Sequence, residues 1–191
     1  MMNTAYYHTN SKIHPLKFGM WIAMASIAMM FTGFTSAYVV RQAAGNWLEF
    51  GLPNIFFVST ITLLLSSVCM HASYRAFIKE KVALYKPLLV LSAVLGVGFI
   101  VLQYQGWETL FSIGVDLKGN PAGSFLYVIT AVHIMHVIGG IIALLIGILN
   151  AYTLKFKVTP KRKINFELLL HYWHFVDLLW VYLLLFLYLS R

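Results

Sequence analysis

Five long stretches of this chain carry almost no ionised side chain, and short clusters of charge separate them. Phe18 to Val40, Leu52 to Tyr74 and Pro87 to Trp107 contain no Asp, Glu, Lys or Arg. Gly119 to Leu154 contains none either, and Leu168 to Ser190 contains only Asp177. A hydrocarbon core of about 30 Å needs about 20 residues of helix at 1.5 Å each. Each stretch meets that length. In lipid only helices and closed barrels satisfy their own backbone, and these runs lack the alternation of a strand. The pattern predicts an all-α membrane protein, a bundle of five transmembrane helices over about residues 18–40, 54–76, 86–107, 124–152 and 166–189. Residues 1–16 read as a polar, cytoplasmic tail without a signal-peptide pattern, and 17–191 as one transmembrane domain.

The breaks between stretches have their own chemistry. Gly45, Gly51 and Pro53 fall in the first connection, and Arg75, Lys79, Glu80, Lys81 and Lys86 crowd the second. Gly106 to Gly123, with Asn120-Pro121, reads as the third. The fourth holds Lys155, Lys157, Pro160, Lys161, Arg162 and Lys163. Eleven of the 14 basic residues then fall on the side of the N-terminus, and three (Arg41, Lys118 and Arg191) on the other. Basic loops stay in the cytoplasm, so the expected orientation is N-terminus inside and C-terminus outside. Tyr38, Trp47, Tyr85, Trp107, Tyr127, Tyr152 and Tyr188 lie near span ends, where amphipathic rings sit at the interface.

Composition reinforces the reading. Hydrophobic residues make up 60% and charged residues 10%, against about 25% charged in an ordinary soluble domain. The net charge of +8 would suggest nucleic acid in a soluble protein. Here the cations lie between membrane spans, and no nucleic-acid partner is expected. The single cysteine, Cys69, excludes an internal disulfide and a cysteine metal cluster.

Two stripes of small residues predict close helix approach. One is Gly19, Ala23, Ser26, Gly33 and Ala37 on the first span. The other, with His133 and His136, is Gly140, Ala143 and Gly147 on the fourth.

The unusual groups are polar side chains at membrane depth: His133 and His136 on the fourth span, and His171, His174 and Asp177 on the fifth. Spacings of three put each set on one helix face. An aspartate at a helix centre costs about 2.5–3.5 kcal/mol on insertion scales, so Asp177 needs a partner or a proton. His174 is its nearest candidate, with Trp173 and Trp180 as donors. Three readings stay open: a hydrogen-bonded cluster joining helices, contact with lipid headgroups or a proton-conducting neighbour, and a metal site built on His171, His174 and Asp177. His71 reads as an interfacial residue.

One segment goes further. Tyr172-Trp173-His174-Phe175-Val176-Asp177-Leu178-Leu179-Trp180, preceded by Phe166-Glu167, resembles the signature of subunit III of haem–copper oxidases. His133-Ile134-Met135-His136-Val137-Ile138-Gly139 is similar to that family's His-x-x-His-Val segment, and Lys17-Phe18-Gly19-Met20 and Phe31-Thr32-Gly33-Phe34 to its opening core helix. The resemblance runs from about residue 17 to 190, in the five-helix form.

It implies a subunit without haem or copper of its own. Those cofactors belong to partners, chiefly a haem-bearing catalytic subunit I. The subunit would flank that partner and other oxidase subunits, hold phospholipid, and support proton uptake and oxygen access. The setting would be aerobic respiration, by a cytochrome c oxidase in a bacterial cytoplasmic membrane, within reach of a larger respiratory supercomplex.

His133, His136, Glu167, His171, Trp173, His174, Asp177 and Trp180 would form the polar helix contacts or lipid site. The chain departs from the family pattern at Ile27, which follows Ser26 where relatives carry a glutamate. Gly106 stands where another glutamate is common, and Asn150 where an arginine binds a headgroup. An accessory subunit of a quinol oxidase or nitric oxide reductase, and a small metal-handling membrane protein, are the alternative readings.

Overall fold

The computed structural model describes residues 14–190. Lys12 and His8 of the tail, and Arg191, lie outside the described residues. Five helices follow one another: α1 (Pro15–Ala43), α2 (Ile55–Ile78), α3 (Val82–Ser112), α4 (Pro121–Thr153) and α5 (Pro160–Leu189). Each is long and apolar enough to cross a membrane, and there is no strand among the described residues.

Local chemistry sets the ends. Pro15, Pro121 and Pro160 open their helices, where a missing N–H costs nothing. The side chains of His14, Asn120 and Thr159 cap them by accepting from the N–H of Leu16, Ala122 and Arg162. α1 ends where Gly45 and Asn46 turn left-handed, at φ 83° and 52°.

Two helices run past their predicted limits. α3 begins at Val82 and carries Pro87 inside it. The proline forfeits only the bond to the carbonyl of Ala83, an exposed residue in the first turn. At its far end α3 continues through Gly106 to Ser112. Gly106, read as a break, is a contact glycine. A Cβ there would meet the Phe56 ring at 2.9 Å.

α2, α3, α4 and α5 each pack against the next, and α5 closes back onto α2. α1 lies outside this group and touches only α4 and α5. α2 and α3 pack most intimately. Ser59, Ser66 and Ser73, seven residues apart, face α3 and are fully buried. They reach Gln103, Ser92 and Tyr85 respectively. Small hydroxyl residues at this interval let two backbones approach along one seam.

The two small-residue stripes behave differently. On α4, a Cβ at Gly140 would meet Trp173 at 2.8 Å, and one at Gly147 would meet Leu169 at 3.5 Å. On α1 a Cβ at Gly19 or Gly33 would meet nothing within 4 Å. The buried face of α1 is instead Phe31, Thr35 and Tyr38. Thr35 hydrogen-bonds Tyr182 of α5 at 3.0 Å, and Tyr38 donates to Ser190 O at 3.3 Å. The outer surface is apolar, as lipid requires: Leu178, beside Asp177 in sequence, is 70% exposed while Asp177 is 6% exposed.

Candidate functional site

The eight polar and aromatic residues singled out above fall into several places. At the basic end of the bundle the Glu167 carboxylate accepts from Lys17 Nζ at 2.6 Å and from Tyr74 Oη at 2.7 Å. Three helices, α1, α2 and α5, thus converge on one carboxylate. No other ion pair forms among the described residues. His171 lies one turn along α5, exposed, with Nδ1 donating to the Glu167 carbonyl.

Further into the bundle α2 and α5 share a second seam. His174 Nδ1 is hydrogen-bonded to Ser67 Oγ, and its ring lies 5.8 Å from that of His71. Asp177, on the next turn of α5, is buried but forms no hydrogen bond to His174, and its Oδ1 has no hydrogen-bond partner. The expected indole donors point elsewhere. Trp173 Nε1 donates to Ser66 Oγ at 3.1 Å, and Trp180 Nε1 to Thr60 Oγ1 at 2.9 Å. Both indoles fasten α5 to hydroxyls of α2.

His133 and His136 stand apart from the α5 histidines. His133 is fully buried, stacks on Trp180 at 5.0 Å, and meets the edges of Phe31 and Phe99. Neither of its ring nitrogens has a partner. His136 Nδ1 donates to Val132 O at 2.7 Å, while its own carbonyl accepts from Tyr172 Oη at 2.9 Å.

Sequence reasoning missed the partners of these groups: Lys17, Tyr74, Thr60, Ser66 and Ser67. The signal lay in α2, where Thr60 and Ser67 repeat the seven-residue spacing of Ser59, Ser66 and Ser73.

A crevice of about 670 Å³ opens at the basic end, between α4 and α5. Met20, Ile146, Leu169 and Tyr172 give it an apolar wall, and Asn150, Lys161, Arg162 and Asn165 a polar one. Arg162 is engaged with its own connection, donating to the carbonyls of Lys155 at 2.9 Å and Lys157 at 3.3 Å. The three departures from the family pattern are accounted for locally. Ile27 packs against the core, Gly106 receives Phe56, and Asn150 lines the crevice. Among the described residues no three His, Cys, Asp or Glu side chains gather to hold a metal.

Fold and site together define a multi-pass helical membrane protein whose buried polar groups join helix to helix. Comparison with known proteins gives the family. A family model described as cytochrome c oxidase subunit III matches residues 2–190. The probable cytochrome c oxidase subunit 3 of Mycobacterium leprae is 27% identical over 98% of this chain and 94% of its own length. That of Nocardia farcinica is 28% identical over 93% and 89%. Cytochrome c oxidase subunit 3 of Mus musculus is 29% identical over 93% of this chain and 70% of its own. The chain belongs to the cytochrome c oxidase subunit III family, and its place is as subunit III of a haem–copper oxidase.

Proposed function

We propose that this subunit is a non-redox scaffold of a cytochrome c oxidase, seated beside the haem-bearing subunit I in a bacterial cytoplasmic membrane. Haem and copper, electron transfer, oxygen reduction and proton translocation reside in its partners. This chain steadies the catalytic subunit, holds phospholipid, and supports proton uptake and oxygen access. The basic connections face the cytoplasm, by the charge asymmetry of the loops. Glu167, Trp173, His174 and Trp180 serve as hydrogen-bonded helix contacts within this scaffold, His133, His136 and Asp177 as groups packed between its helices, and the exposed His171 faces lipid or a neighbouring subunit.

The observation that carries the reading is the crevice at the basic end. Its volume of about 670 Å³ suits an acyl chain. Lys161 and the N-terminus of α5 offer positive charge at its polar wall, where a phosphate group is stabilised. The outward face of α1, with Gly19 and Gly33 open, supports contact with a neighbouring subunit.

The test is purification in mild detergent through a tag on this chain. An oxidase with a haem absorbance spectrum accompanies it, and phospholipid is retained. Ile146→Trp, which fills the crevice, lowers the phospholipid-to-haem ratio without loss of assembly. A chain that purifies without haem protein overturns the scaffold reading. An unchanged lipid ratio in Ile146→Trp overturns the lipid site.

A further inference from the structure

α1 is held unevenly along its length. Its three buried residues, Phe31, Thr35 and Tyr38, all lie in the half nearer its C-terminus. That half also carries the bonds to the far end of α5. Thr35 meets the Tyr182 hydroxyl at 3.0 Å, and Tyr38 Oη and Gln42 Nε2 both donate to Ser190 O, at 3.3 Å and 2.8 Å. The other half, at the basic end, is loosely seated. From Pro15 to Met30 no residue is buried. Phe18, Trp21, Ile22 and Met29 each leave more than half of their surface uncovered by the bundle. A Cβ at Gly19 would meet nothing within 4 Å.

Among the described residues one polar contact ties this loose half to another helix: Lys17 Nζ meets Glu167 Oε2 at 2.6 Å. The carboxylate is fixed independently, because its Oε1 accepts from Tyr74 of α2 at 2.7 Å. Each oxygen serves one partner, so the Lys17 contact breaks without releasing Glu167. Three residues on from Lys17, and on the same face of α1, Met20 forms part of the crevice wall. The rest of that wall comes from helices that stay packed together, with Ile146 on α4 and Leu169 and Tyr172 on α5.

We propose, resting on the phospholipid reading of the crevice, that the basic-end half of α1 is its gate, pivoting near Phe31 and latched by Lys17 on Glu167. No proline follows Pro15 within α1, so the helix moves as one rod. Lys17 lies 14 residues from Phe31, about 21 Å along that rod. A small tilt at the anchored half therefore becomes a large displacement at Met20 and Lys17. The moving half covers little apolar surface, so burial adds little to hold it closed. The ion pair decides the position. Latched, Met20 closes one side of the crevice and a bound lipid leaves slowly. Unlatched, that side opens to the bilayer.

Two measurements on the purified oxidase complex, where every neighbour of α1 is in place, test the gate. Nitroxides carried on non-canonical residues at Leu16 of α1 and Lys79 after α2, both exposed, report its position as an electron–electron distance. Wild type gives one distance, and Lys17→Met adds a longer one. For the lipid, the complex is placed in vesicles of chain-deuterated phosphatidylglycerol and phosphatidylethanolamine and extracted again at intervals. Mass spectrometry gives the unlabelled phospholipid still bound, and the crevice pool is the part that Ile146→Trp lacks. Lys17→Met releases that pool about tenfold faster, the factor for losing one charge-assisted hydrogen bond at the low end of its range. Lys17→Gln, which keeps a weaker hydrogen bond, gives an intermediate rate and serves should Lys17→Met not assemble. Exchanging the charges, Lys17→Glu with Glu167→Lys, restores the single distance and the slow release. A lysine that merely stabilised the fold would lower the unfolding temperature and move neither reading. The gate is overturned if the Lys17 variants keep the wild-type distance, or if the distance lengthens and the crevice pool leaves no faster. Failure of the lipid reading looks different: wild type and Ile146→Trp then hold equal phospholipid, and the distances alone decide whether the latch exists.

Discussion

Two polar residues of this chain, one half-buried and one fully buried, face opposite tests of the same rule, that a polar group out of water needs a partner. Glu167 has two, Lys17 and Tyr74, drawn from two other helices. Tyr74→Phe removes one hydrogen bond to a charged acceptor and is expected to cost about 1.5 kcal/mol. Glu167→Gln costs more, about 2 kcal/mol, because Lys17 then loses its only carboxylate. Thermal unfolding in detergent, followed by helix circular dichroism, measures both. Equal stability of all three proteins would show that the triad contributes nothing. His133 has no partner for either nitrogen and keeps its place by stacking on Trp180. Exchanging it for phenylalanine retains the stack and removes an unpaired polar group. His133→Phe is therefore expected to leave the unfolding temperature unchanged or raise it. A drop equivalent to more than about 1 kcal/mol would mean the imidazole has a polar partner in the assembled oxidase.

Between helices, glycine decides how closely two elements meet, and its meaning depends on what lies opposite. Trp173 of α5 lies against Gly96 of α3 and Gly140 of α4, where added Cβ atoms would meet its ring at 2.9 Å and 2.8 Å. Gly96→Ala and Gly140→Ala should each destabilise by about 1–3 kcal/mol through overpacking. Gly140→Ala combined with Trp173→Phe should recover part of that loss, as expected for residues in contact. Gly33→Ala on α1, with open space around it, should leave the isolated chain's unfolding temperature no lower. Identical effects at all three glycines would contradict the packing described. From the sequence, Gly33 and Gly140 look alike, each a small residue in a stripe. They differ because α1 turns Phe31 and Tyr38 inward, and two large anchors override a run of small residues.

At the scale of the whole molecule, five helices make a bundle that is apolar outside and carries its hydroxyls and indoles inside. Its two ends differ strongly in charge, and the orientation follows from the loops. With Cys69 replaced by alanine, a cysteine at Lys157 should react with a membrane-impermeant reagent only in inside-out vesicles. A cysteine at Glu49 should react only in right-side-out ones. The reverse pattern would invert the proposed topology and place the crevice at the outer surface.

The number of helices was legible in the chain because lipid imposes a length on each span and forbids charge within it. Asn120-Pro121 and Pro160 were legible as breaks between spans, but that the side chains of Asn120 and Thr159 cap α4 and α5 came from the structure. The identity of the unusual polar residues was legible too, since a histidine or aspartate stands out in an apolar run. Which partner each one finds was not. Lys17 and Glu167, or Ser67 and His174, lie about 100 residues or more apart in the chain, and periodicity along one helix says nothing about the rotation of the helix beside it. The sequence by itself determined the five membrane helices and the need to satisfy their polar groups, because both follow from transfer out of water. Only the tertiary structure decided that α2 supplies the hydroxyls, that α1 stays on the outside, and that His133 is stacked rather than bonded. Those outcomes depend on how whole helix faces fit together.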